Sequence, residues 1–499
     1  MMMQLAGLMG SVARLLHVPP GAFDGYAAVI PIVCVWMGAI AAMLAEAFRA
    51  PGERLAIGGL GIIGLVSSMI ATLLLWGRGA QSGGVIAADN FGLFVTFLLA
   101  TVGVLTIALS GQIVERDNIP AGEYYALLLF SLGGMMLMAL ANDLLLIFLA
   151  LEILSLAVYV LTGIRRDVRT STEAAFKYFL LGGFSSAFFL YGIAFTFGVA
   201  GSTRLDQIVI VMSGRTAGQE MLSYLALGLL LVGFAFKVSA VPFHMWTADV
   251  YEAAPPAVTA FMSAGVKAAA FAAFVRVFMS AFGGFQPQWA PVLWILSAAS
   301  MIVGVLAGVV QKSVRRMLAY SSIAHAGYLL MAMVSGNDVG KGAVLFYLLT
   351  YALTTVGAFG VTALVATADH TRDDLSDYAG LGRRQPLLAA LMTIFLLSLG
   401  GFPPTAGFIG KWYLFSASVS AGNYGLAIIG VLTSVVSVFF YLRVVVRMYM
   451  SDDASVIPVT TPGPATLLAL LAPAFGIVYL GILPTRILDI AVRSIATIL

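Results

Sequence analysis

Apolar residues in this chain neither alternate nor form a stripe; they run. Stretches of about 20 residues, nearly free of charge, follow one another and are bounded by Arg, Asp, Gly or Pro. Runs of that length match a helix crossing a hydrocarbon layer of ~30 Å, whereas a soluble core helix shows an apolar face on a polar background. They fall near 26–46, 55–76, 90–111, 123–141, 143–163, 174–199, 222–257, 258–282, 290–310, 318–335, 341–367, 386–421, 424–448 and 464–484. The pattern predicts an all-α polytopic membrane protein with about fourteen transmembrane helices.

Two runs, 222–257 and 386–421, are too long for one straight crossing, and each contains a breaker. The first reads Lys237-Val-Ser-Ala-Val-Pro242-Phe-His244, the second Gly400-Gly401-Phe402-Pro403-Pro404-Thr-Ala-Gly407. Proline removes a backbone donor and clashes with the preceding turn, so the seventh and twelfth spans are predicted to be discontinuous. Broken backbone at membrane depth survives only where protein or water satisfies the freed groups. The two breaks lie five spans apart, an odd offset that turns one copy over relative to the other. Paired interruptions of this kind point to inverted repeats around a transport site.

Basic residues crowd the loops after odd-numbered spans, among them Arg49, Arg54, Arg116, Arg165, Arg166, Arg169, Lys312, Arg315, Arg316, Arg372, Arg383 and Arg384. Few follow even-numbered spans: Arg78, Arg204, Arg215, Lys341 and, in the tail, Arg486 and Arg493. That bias puts the odd-span exits in the cytoplasm and both termini on the far side. Met1 to Pro20 is interrupted by Gly, His17 and Pro19-Pro20 and does not resemble a cleavable signal. No linker divides the chain, so residues 1–499 are expected to form a single membrane domain.

Composition agrees: 61% hydrophobic, 10% charged, and a net charge of +3 that is too small for a nucleic-acid surface. The lone Cys34 lies in an apolar run and supports neither an internal disulfide nor a thiolate cluster. Gly59-Leu-Gly61-Ile-Ile-Gly64 matches a dinucleotide string, but it sits inside a span with no preceding strand, where glycines serve close helix packing. No nucleotide, haem or metal motif is present in the sequence.

The informative residues are the charges inside the spans. A charge at the bilayer centre costs roughly 3 kcal/mol on insertion scales, so its default explanation is functional. Glu152, Lys237 and Lys267 fall near the middle of the fifth, seventh and eighth runs, and Lys411 follows the break of the twelfth. Lys177 is close enough to its span end to snorkel. Burial penalises an ammonium group and a nearby carboxylate restores it, so a Glu–Lys pair that opens and closes can hold and release a proton. The competing reading is structural: an ion pair between Glu152 and Lys237, and carbonyl-satisfied lysines at 267 and 411. His244 and His325 extend the titratable line, or else pack against carbonyls. Asp143 reads as a helix cap beside Asn142; Asp374 and Asp377 read as solvated loop residues. Fixed positive charge disfavours a metal-cation pathway.

Several of these residues lie in segments that resemble a known family. The stretch from Lys237 through Trp246-Thr-Ala-Asp-Val-Tyr251-Glu-Ala-Ala-Pro255-Pro256 to Lys267 resembles the signature of antiporter-like subunits, found in respiratory complex I and in multisubunit cation/proton antiporters. Two more segments are similar to family hallmarks: Gln311-Lys312-Ser-Val-Arg315-Arg316-Met-Leu-Ala-Tyr320-Ser-Ser-Ile-Ala-His325-Ala-Gly-Tyr328, and Gly401-Phe402-Pro403-Pro404-Thr-Ala-Gly407-Phe-Ile-Gly410-Lys411. Lys411 stands where the M-type subunit typically carries glutamate, and the sequence lacks the long lateral helix of the L-type. Within the family it is therefore similar to the N-type.

The resemblance implies two inverted five-helix repeats, about 123–282 (spans 4–8) and about 290–448 (spans 9–13), flanked by spans 1–3 and 14. It implies that Glu152 pairs with Lys237 near Lys177, that Lys267 links two half-channels, that Lys411 lies on the exit side, and that His244 and His325 are relay positions. It implies no cofactor in this chain: flavin, iron–sulfur clusters and quinone belong to other subunits. The implied neighbours are M-type and K-type membrane subunits and lipid, in a bacterial inner membrane. A sodium/proton antiporter subunit, a hydrogenase-linked complex and a passive scaffold remain the alternatives, the last fitting poorly with four midplane charges.

Overall fold

A computed structural model of the chain describes residues 24–48, 56–213, 220–366, 373–451 and 459–498. Met1–Pro20 and the loop residues Arg49, Arg54, Arg215 and Arg372 lie outside these. Among the described residues, thirteen helices are long and apolar enough to cross a membrane, from Gly25–Ala47 to Pro464–Ile482. A fourteenth crossing is made by two short helices in series, Pro386–Gly400 and Ala406–Ser420. The run boundaries read from the sequence match the helices within a few residues.

Both predicted breaks are present. The seventh span consists of Glu220–Val238 and Met245–Ala253, separated by a turn in which Ser239 takes φ +65°, a left-handed conformation uncommon for a side-chain-bearing residue. The twelfth breaks at Gly401, φ +83°, where glycine adopts such a φ without strain. Pro242 and Pro404 both follow cis peptide bonds.

Burial sorts the spans. The eighth, Pro256–Ala281, is wholly enclosed, and Val314–Ser335 and Val339–Val365 nearly so; spans 1, 2 and 6 lie at the perimeter. The eighth span is also irregular: π-helical turns at Met262–Val266 and Arg276–Ala281 bracket the α-helical Lys267–Val275. Its far end is anchored by Arg276, which forks onto Asp89 at 2.6 and 2.9 Å and also donates to the Ala139 carbonyl at 3.1 Å. This buried arginine was not anticipated from the sequence.

Small residues bring the helices together. Gly64 meets the Cys34 carbonyl and Gly38, and Gly61 meets Ile107 and Leu129, so the glycine string of span 2 is packing surface. Asp143 caps span 5 by accepting from the Leu145 and Leu146 amides. Two elements outside the span pattern lie at the end reached by the even-numbered spans. One is the hairpin Ala80–Ser82/Ile86–Ala88. The other is the helix Thr485–Ile495, which buries Leu488, Ala491, Ser494 and Ile495 and exposes Arg486, Asp489 and Arg493.

Spans 9 and 10 approach closely at Gly304 and Gly327. A Cβ at Gly304 would lie 2.6 Å from the Ala324 amide nitrogen, and one at Gly327 would lie 2.8 Å from the Met301 nitrogen. Backbone cannot swing aside as a side chain can, so Gly304→Val is expected to cost about 1–3 kcal/mol. A heating series on the detergent-solubilised protein checks this; an unchanged midpoint would show that the two spans are free to separate.

Candidate functional site

Lys237, Lys267 and Lys411 are 2%, 2% and 4% exposed, deep in the bundle. All three are held alike. Lys237 Nζ donates to Ser155 Oγ at 2.7 Å and lies 5.8 and 5.7 Å from the ring centroids of Tyr159 and Tyr178. Lys267 Nζ donates to the hydroxyl and the carbonyl of Ser322 and lies 5.6 Å from the Tyr351 ring. Lys411 Nζ donates to Ser434 Oγ at 2.8 Å and lies 5.2 Å from the Tyr328 ring. Each ammonium thus has one serine hydroxyl and at least one tyrosine face. Among the described residues, none is ion-paired to a carboxylate.

The broken spans supply the rest of the setting. Lys237 is in the last turn of Glu220–Val238, where backbone carbonyls point along the axis. Lys411 reaches across its break to the end of Pro386–Gly400, donating to the Leu399 and Gly400 carbonyls at 2.8 and 3.2 Å. Both lysines therefore stand at the electronegative end of a half-helix. Gly401 permits the second arrangement, because a Cβ there would come within 3.0 Å of Lys411 Cδ.

Span 10 joins two of the sites. Ser322, His325 and Tyr328 recur every third residue and share one face. Ser322 holds Lys267 and Tyr328 faces Lys411. Between them His325 Nδ1 is 2.5 Å from the Tyr347 hydroxyl and Nε2 is 3.3 Å from the Tyr441 hydroxyl. Tyr441 in turn bonds Ser321. Span 5 makes a similar ladder around Lys237 from Glu152, Ser155 and Tyr159.

The sequence-derived candidates fare differently. Glu152 is half-buried and accepts from Ser186 on span 6; it forms no ion pair with Lys237, which it neighbours through Ser155, one turn along. His244 is half-buried at the start of Met245–Ala253, and its Nδ1 has no protein partner. Lys177 forms its ion pairs elsewhere. It is half-exposed and ion-paired with Glu173 at 2.8 Å and Asp249 at 3.6 Å, in a cavity of about 380 Å³ that Glu252, Arg315 and Asp373 also line.

The sequence reading missed the serines and tyrosines, which are too common to signal anything without their spacing. It also missed how deeply the loop charges are buried. Arg165, read as a topology marker, is 6% exposed and donates to the Ala253 carbonyl at 3.2 Å. Burial pushes its guanidinium down to about 10, against the pull of Asp117. Asp373 is buried on Arg315, and burial pushes its carboxyl up against that partner's pull. Asp374 is exposed, as expected of a loop residue, and Asp377 is partly buried in the 3-10 turn that Asp374 caps.

Several buried polar atoms around the lysines have no protein hydrogen-bond partner: the hydroxyls of Tyr178, Ser239 and Thr247. Such atoms are normally satisfied by water when no protein group reaches them.

Comparison with known proteins places this arrangement. The family model described as NADH:quinone oxidoreductase/Mrp antiporter, transmembrane, matches residues 141–437. A relative from Trichlorobacter lovleyi, NADH-quinone oxidoreductase subunit N, is 43% identical over 474 residues, covering 94% of this chain and 97% of its own. A chain of respiratory complex I from Thermus thermophilus with bound aureothin superposes with TM-score 0.79 at 37% identity, over 93% of this chain and 99% of its own. A chain of the archaeal membrane-bound sulfane sulfur reductase superposes with TM-score 0.83 at 23% identity, over 94% of this chain and 97% of its own, a likeness of fold alone.

The chain has six lysines, and their burial separates them into two sets of three. Reductive methylation of the native protein, read by peptide mass spectrometry, is expected to modify Lys177 and Lys312 and to spare Lys237, Lys267 and Lys411 until the protein is denatured. Modification of Lys267 in the native state would contradict the geometry.

Proposed function

The chain belongs to the NADH:quinone oxidoreductase/Mrp antiporter transmembrane family, and from that premise we propose that it is the N-type proton-translocating membrane subunit of NADH:quinone oxidoreductase. It contributes no electron chemistry; flavin, iron–sulfur clusters and quinone reside in or between other subunits. Its neighbours are other membrane subunits of the complex, the M-type and K-type first among them. It sits in a bacterial inner membrane with the odd-span loops in the cytoplasm and both termini outside. Spans 4–8 and 9–13 are read as the two inverted repeats.

The observation that carries the reading is the shared setting of the three lysines. A serine hydroxyl accepts from an ammonium and, by rotating, donates to an amine. A tyrosine face attracts the cation and tolerates the neutral form. A lysine so held keeps its hydrogen bond in either protonation state, whereas one locked to a carboxylate is tied to its charged form. Each site is therefore suited to gaining and losing a proton in place.

The path runs from Glu152 and Lys237 past His244 to Lys267, then along span 10 through His325 to Lys411. The unpaired hydroxyls of Tyr178, Ser239 and Thr247 offer places for bridging water along it. Glu152, one turn from Ser155, biases Lys237 from a short distance without capturing it.

Lys237→Ala in the assembled complex is expected to abolish proton pumping and to depress coupled quinone reduction, with NADH–ferricyanide activity, which reads the flavin end alone, retained. Ser322→Ala is expected to lower turnover about tenfold or more, the worth of a hydrogen bond to a charged group. Vesicle acidification assays check both, and full pumping by an assembled Lys237→Ala variant would falsify the relay.

A further inference from the structure

The second half of span 7, Met245–Ala253, is a nine-residue helix cut loose from its first half by the break and seated between spans 6 and 10. It touches both lysine sites through its neighbours. Its Trp246 stacks on Tyr178 at 4.3 Å, and Tyr178 is one of the two rings over Lys237. Span 10, on which it leans, carries the Ser322 that holds Lys267. A shift of this short helix therefore acts on both sites at once.

Two kinds of charge hold it. At its C-terminal end, buried Arg165 and Arg315 donate to the Ala253 and Ala254 carbonyls at 3.2 and 3.3 Å, and Arg315 is fixed on buried Asp373. That end is an anchor: breaking a buried pair leaves an uncompensated charge. On the outward side, Asp249 and Glu252 lie one turn apart. Arg316 of span 10 bridges them at 2.9 and 2.8 Å, while Lys177 of span 6 approaches the other oxygen of Asp249 at 3.6 Å. These four side chains are about a third to a half exposed, where an ion pair opens at little cost.

We propose that Arg316 and Lys177 form an ion-pair latch on Asp249 and Glu252 that positions the half-helix between spans 6 and 10, and that holding this latch, rather than carrying a proton, is the contribution of Lys177. The inference rests on the proton-translocation reading above. Lys177 and Arg316 are positioning residues that act through Trp246 and Ser322. The two latch partners draw on opposite oxygens of one carboxylate, so the half-helix is tied to both flanking spans by a single side chain, Asp249.

The test uses the assembled complex in inverted membrane vesicles, with NADH–ferricyanide activity as the measure of assembly and protons moved per NADH oxidised as the readout. Arg316→Gln and Lys177→Gln are each expected to lower that ratio about twofold to fivefold, the range of a half-exposed ion pair. Arginine keeps the charge of Lys177 but does not release its proton in a protein. Lys177→Arg is therefore expected to pump like the unaltered protein. The exchange Arg316→Glu with Glu252→Arg is expected to recover much of what Arg316→Glu alone loses. Loss of pumping in Lys177→Arg equal to that in Lys177→Gln would overturn the latch and make Lys177 a carrier. A fall in assembly with an unchanged ratio would overturn it in favour of a purely structural role. Pumping by Lys237→Ala, run alongside, would sink the underlying reading instead, so the two failures are told apart.

Discussion

An ammonium group inside an apolar bundle, met by a hydroxyl and a ring face instead of a carboxylate, is the constraint around which this fold is arranged. Desolvating a charge without an ion-pair partner is costly unless nearby polar groups compensate it. The break of span 12 supplies Lys411 with carbonyl acceptors that an intact helix keeps for itself, while Lys237, in the last turn of its half-helix, is held by the Ser155 hydroxyl. Lys267 has no break of its own and instead follows a π-helical turn in a wholly enclosed span, with both the hydroxyl and the carbonyl of Ser322 in reach. The perimeter spans, the glycine contacts and the buried Arg276–Asp89 pair all serve to keep that interior closed.

The two breaks solve one problem in two ways. In span 7 the lysine precedes the interruption and its own half-helix presents the carbonyl end; the Phe236 carbonyl freed there is taken by the Trp246 indole at 3.1 Å. In span 12 the lysine follows the interruption and reaches back to carbonyls of the other half. The breaks match in kind and differ in register, so any repeat in the sequence is faint even where the physical device recurs.

Span positions, the two interruptions and the four midplane charges were all legible in the sequence, because each is a strong signal: a long apolar run, a proline pair, or a charge with no business in lipid. The partners were not. Ser155, Ser322 and Ser434 are ordinary residues in a chain of many serines, and only three-dimensional placement distinguishes them. Lys177 was left open by the sequence because its depth along the helix is ambiguous by one turn, and that turn decides between the interior and the surface cavity shared with Asp249. Thr485–Ile495 escaped notice for a different reason. It is short and two-faced, and a search for unbroken apolarity passes over a helix that lies against the bundle instead of crossing it.

A π-helical turn is an α-helix carrying a surplus residue, and the eighth span has one on each side of the segment that begins at Lys267. Each surplus residue is taken up by about 100° of rotation about the axis. The face that Lys267–Val275 presents is therefore set by the first surplus residue, about 100° away from where an unbroken α-helix entering from Pro256 would aim it, and the second surplus residue re-aims Arg276 in turn.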